Sequence, residues 1–113
     1  MSTASAAETL RQATSFSTDY AAATLTISEG ATSLAVYTLS GLVPSNSGND
    51  GLATANAIAP VNNVGTGTAD TCVLATGAES YNLAIGTDIT ISDLNFITGV
   101  ESSVTGLTVT FPA

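Results

Sequence analysis

The chain has no histidine, no lysine and no tryptophan, one cysteine and one arginine, Arg11. Each absence excludes chemistry. Without His there is no ordinary general base, and without Lys there is no Schiff base. A zinc site needs a cluster of Cys and His, which one Cys cannot supply. A single Cys cannot form an intrachain disulfide, and Cys72, between Thr71 and Val73, reads as a small buried hydrophobe. One Arg cannot neutralise a row of phosphates, so nucleic acid and anionic membrane surfaces are not expected partners.

Charge is scarce as well. Charged residues make up 9% of the 113 residues, with nine acidic side chains and a formal net charge of −8. An ordinary soluble domain carries about 25% charged residues. What remains is Thr, Ser, Ala, Asn and Gly. A surface depleted of charge resembles the core of a protein–protein interface. No early basic region precedes an apolar run, so no secretory signal is expected. No apolar stretch approaches the ~18 residues of a membrane span.

The length fits one compact domain. Residues 1–21 read as an N-terminal arm and helix, and residues 22–113 as a β-sandwich domain. Ser5 is a candidate N-cap with Glu8 at capping-box spacing. Ala6, Leu10, Ala13 and Ala21 fall near one stripe, predicting a helix of about three turns up to Tyr20. Leu25 and Ile27 then alternate with Thr24, Thr26 and Ser28, and Glu29-Gly30 marks a turn. Leu34 to Leu39 predicts a strand covered on both faces, with Leu34 and Val36 on one and Tyr37 and Leu39 near the other. Gly41 to Gly51, rich in Pro, Ser, Asn and Gly, predicts a surface loop. Leu52 to Ala59 predicts a short strand, and Val61 to Gly67 a turn region. Tyr81/Leu83/Ile85, Ile89/Ile91, Leu94/Phe96/Val100 and Leu107/Val109/Phe111 predict further short strands. Strands at this spacing imply a mostly β fold, an antiparallel sandwich or jelly roll with a short N-terminal helix. Without Lys, its sheet edges must be covered by its own helix and loops or paired with a neighbouring subunit.

Candidate sites are few. Asp88 and Asp93 could face each other across a turn as a carboxylate pair, but acidic residues at strand ends more often form turns. Asn46, Asn49 and Asp50 offer oxygen ligands in a Gly-punctuated segment, without the spacing of an EF-hand. Gly65-Thr66-Gly67-Thr68 lacks the Lys of a phosphate loop and reads as a tight connection. No catalytic residue, cofactor or metal is expected. Candidate partner-binding residues are Glu8 and Arg11 on the helix and Asn46, Asn49 and Asp50 in the predicted loop. For Arg11 the plainer expectation is a pair with Glu8 at i,i+3.

Several segments carry a resemblance: Gly65-Thr-Gly-Thr-Ala-Asp70, Tyr81-Asn-Leu-Ala-Ile-Gly86, Phe96-Ile-Thr-Gly-Val100 and Leu107-Thr-Val-Thr-Phe-Pro112. Together with the opening helix and the Thr24–Ile27 strand, they resemble small structural proteins of tailed bacteriophages. The resemblance implies a virion component made in the bacterial cytoplasm and carried on the capsid exterior. It implies a decoration (cement) protein that clamps adjacent major capsid subunits, as a homo-oligomer with a trimer favoured. The alternative is a tail, collar or fibre component with a receptor-binding role.

Overall fold

The structure, a computed structural model, describes residues 4–113. It is mostly β with antiparallel sheets and one N-terminal helix, a β-sandwich as the alternation requires. Helix α1 (Ala6–Asp19) starts at Ser5, whose hydroxyl accepts a hydrogen bond from the Glu8 N–H at 3.2 Å. Its buried residues are Thr9, Ala13, Phe16 and Ser17. That stripe is rotated from the expected one: Ala6 and Leu10 are only half-buried. Phe16 carries the apolar mass, and Thr9 is small enough for close contact.

Two four-stranded sheets form the body. The first contains β1 (Thr24–Glu29), β2 (Thr32–Thr38), β7 (Thr71–Ala75) and β8 (Ser80–Leu83), in the order β2-β1-β7-β8. The second contains β3 (Leu42–Ser47), β4 (Asp50–Ala55), β9 (Ile89–Ile91) and β12 (Val104–Phe111), in the order β3-β4-β12-β9. Two further pairs join β5 (Val61–Asn62) to β11 (Glu101–Ser102) and β6 (Gly67–Thr68) to β10 (Asn95–Phe96). Residues 61–69 and 93–103 together make a loop module against β2 and the far end of β1.

The core draws on both sheets. Leu25, Ile27, Tyr37 and Leu74 from the first meet Ala53, Ile89, Leu107 and Val109 from the second in one apolar cluster. The registers put Gly51, Ala53, Val109 and Phe111 on one face of the second sheet, and α1 rests on that face through β3, β4 and β12. A Cβ on Gly51 would collide with the Thr9 backbone carbonyl, so this glycine sets how closely the helix can approach. Burying a large side chain contributes roughly 1.5–3 kcal/mol, so the cluster outweighs any single polar contact.

Four expectations need correction. Gly41 to Gly51 is not a loop. It is the β3–β4 hairpin, turned at Gly48-Asn49 with Gly48 at φ 60°, the pattern of a type II′ turn. The same Gly and Asn residues that suggest a loop serve this tight turn. Pro44 is tolerated because β3 is an edge strand. The Ser47–Asp50 pair closes the turn, so Leu42, Pro44 and Asn46 direct their backbone groups away from β4.

Leu34 and Val36 do not share a covered face. The β1–β2 register shifts so that Ile27 opposes Ala35 while Ser28 opposes Ser33, leaving Leu34 as a bulge. Leu34 and Ala35 are therefore both buried, and Val36 is exposed. Finally, Leu94 and Val100 do not extend a core strand: Phe96 is buried, and they are exposed. The predicted turn region 61–67 holds β5 and the start of β6.

Candidate interaction surfaces

The expected partner-binding residues gather near the start of α1, but they bond to one another and to their own chain. Glu8 and Arg11 form an ion pair on the exposed helix surface, which holds the Glu8 carboxyl below its ordinary range. The Asn46 side chain donates to the Ala6 and Asp50 carbonyls, both at 3.1 Å. The Asn49 carbonyl accepts from the Thr9 hydroxyl at 2.6 Å. The Asp50 carboxylate accepts from the Ala113 N–H at 2.9 Å. These groups fasten the helix and the chain end to the hairpin.

Four other carboxylates accept hydrogen bonds within the chain. Asp88 accepts from the Ala84 N–H and Asp93 from the Asn95 N–H, each at 2.9 Å and each within its own turn. Asp70 accepts from the Gly30 N–H at 3.0 Å and from the Thr71 hydroxyl, and these bonds lower its pKa. Glu29 accepts from the Thr68 N–H. Among the described residues, no three Cys, Asp or Glu side chains gather as a metal ion would need. Cys72 is buried, and desolvation, aided by the charge of Asp88, pushes its thiol up to about 12. A shallow cleft of about 160 Å³ lies between the end of β4 and the start of β12, beside Ala55, Ile58, Val104 and Leu107. Ligand pockets span about 300–1,000 Å³, so this one is too small for a typical substrate.

The outer face of the first sheet is neutral. By register, the outer face of the first sheet carries Thr38 and Val36, then Thr24 and Thr26, then Ala75 and Val73, then Ser80 and Asn82. Not one of these is charged.

The loop module is the most apolar exposed region. Val64 is 61% exposed, Ile97 60%, Val100 52% and Leu94 44%. Ile97 to Val100 is a tight turn, with the Val100 N–H on the Ile97 carbonyl and Gly99 at φ 85°, as a type II turn demands. Asn63 holds this turn from inside. Its N–H donates to the Val100 carbonyl, its own carbonyl accepts from the Gly99 N–H, and its side chain donates to the Ile97 carbonyl. Ser102 donates to the Asn63 side-chain oxygen and lies 2.7 Å from the hydroxyl of buried Tyr37.

No family model, curated protein or solved structure matches this chain. The surface itself is therefore the basis for any functional reading. The exposed aliphatics escape a sequence scan because alternation identifies a face without telling whether anything covers it. Their one signal is apolar residues bracketing a turn, Ile97-Thr98-Gly99-Val100.

Proposed function

We propose that this chain is a non-enzymatic structural protein that docks on a protein lattice, as a capsid decoration protein clamping adjacent major capsid subunits. The observation that carries the reading is the loop module, where Val64, Leu94, Ile97 and Val100 stand exposed on one rigidly bonded turn system. Exposed aliphatics gathered in this way mark protein contact surfaces. The neutral outer face of the first sheet supports it, because uncharged groups cost less to desolvate than charges. A protein that binds only the assembled shell stabilises it by mass action. The tail-fibre alternative would place recognition in the segment from Gly41 to Gly51, whose Asn46, Asn49 and Asp50 are engaged within the chain.

Quantitative mass spectrometry of purified virions tests the proposal. A ratio to the major capsid protein near one to one, or a simple fraction of it, is expected; absence from the particles ends the proposal. A few copies would move the chain to the tail. The Ile97→Asp variant sharpens the result. It should keep the fold within about 0.5 kcal/mol, as exposed substitutions do, yet lose at least tenfold in shell occupancy.

A further inference from the structure

Three of the four sheet edges carry a feature that disfavours pairing with another strand. On β3, Pro44 interrupts the outward row of backbone groups. Along β2, the edge is bent by the Leu34 bulge, and the Val64 and Gly65 N–H groups both reach the Leu34 carbonyl, while Val36 and Thr38 turn their backbone groups outward. Ile85 bridges β9 at Ile89, and the Gly86 N–H occupies the Ile89 carbonyl.

Strand β8 differs. It is four residues long, at the margin of the first sheet, with no Pro, Lys or bulge. The Thr76 N–H donates to the Glu79 carbonyl, so Tyr81 and Leu83 turn their backbone groups toward β7. Ser80 and Asn82 turn theirs outward. Both residues are exposed, and among the described residues nothing bonds to their N–H groups. The open row ends at Ala84, whose N–H is taken by Asp88.

We propose that two copies of this chain join antiparallel through β8, about a two-fold axis at Tyr81. This register sets Ser80 opposite Asn82 of the other copy and makes four backbone hydrogen bonds, more than a register centred on either neighbour. The occupant is a second copy because the edge is self-complementary: each outward residue offers one donor and one acceptor, and the strand carries no charge to repel its twin. The nearest acid, Glu79, falls opposite Leu83. The two Glu79 residues are thus about 14 Å apart, beyond the ~8 Å screening length at physiological salt. The Tyr81 rings, each 37% exposed and each edge-on to its own Phe16, come side by side. The inference does not rest on the docking proposal, because solution association involves no shell.

Sedimentation equilibrium of the purified chain from about 1 µM to about 1 mM tests it, a range suited to interfaces below about 1,200 Å². A monomer–dimer equilibrium is expected. Asn82→Pro removes an outward N–H without breaking a ladder bond, and it should weaken the dimer at least tenfold. Tyr81→Cys should cross-link under mild oxidation, since residues facing each other in a non-hydrogen-bonded pair are about 4.5 Å apart at Cα. A chain that stays monomeric, a trimer, or a Tyr81→Cys protein that does not cross-link would each overturn the proposal. A trimer does so because a two-fold contact cannot close a three-fold ring.

Discussion

The helix end and the loop module are held by different physics. At the helix end, Phe16 stacks on Tyr20 with centroids 4.5 Å apart and meets Tyr81 and Phe111 edge-on at 5.1 and 5.5 Å. Gly51 lets the helix backbone lie directly on β4. At the loop module the pieces of strand are two residues long, and one amide, Asn63, organises them. Strand β1 runs from one region to the other, leaving the helix at Ala23 and ending against Asp70 and Thr68. In the first region the apolar groups mostly cover each other, leaving Tyr81 at its rim partly exposed. A polar hub leaves the second region's aliphatics uncovered. A region that satisfies its backbone without burying its side chains is suited to contact.

Substitutions can break this contrast. Phe16→Ala should have the largest effect, about 3–5 kcal/mol of stability, read as a lowered denaturant midpoint. Amide exchange should quicken first in α1 and β3–β4. Gly51→Ala comes next. Its Cβ forces the Thr9 backbone outward, and overpacking of this kind costs about 1–3 kcal/mol. A thermal melt should show the loss. Asn63→Ala should be the mildest, about 1–2 kcal/mol for the side-chain bonds lost to the Ile97 carbonyl and the Ser102 hydroxyl. Its exchange signature should be confined to residues 61–69 and 93–103. If Asn63→Ala loosened α1 as much as Phe16→Ala does, the two regions would be one cooperative unit and the comparison would fail.

Much of the fold is legible in the sequence. Ser5 with Glu8 marks the helix start, Leu25/Ile27 and Leu107/Val109/Phe111 mark the central strands, and Cys72 reads as buried. Three features are not legible, each for a physical reason. The β3–β4 hairpin hides in turn chemistry, because Pro44 is compatible with a strand only where its nitrogen faces outward. The Leu34 bulge breaks the period of two that every face assignment assumes. The exposed aliphatics of the loop module look like core residues until the burial of Phe96 beside Ile97 separates inside from outside. The candidate site is legible only in part. Glu8, Arg11, Asn46, Asn49 and Asp50 stand out by polarity, but the bonds from Asn46 to Ala6 and from Thr9 to Asn49 join segments distant in sequence, which polarity does not reveal.

Pro44 and the bulged Leu34 have a consequence best put in the language of polymerisation. A sheet protein with two open edges is a bifunctional monomer, and its association propagates into fibres. Here Pro44 caps one edge, and the bulge presents the carbonyl on which Val64 and Gly65 cap another. With β9 bridged by Ile85, every edge but β8 carries a feature that disfavours strand pairing, so pairing through β8 is expected to stop at the first addition. A hydroxyl-rich β protein without a single lysine can then reach high local concentration and still stop growing.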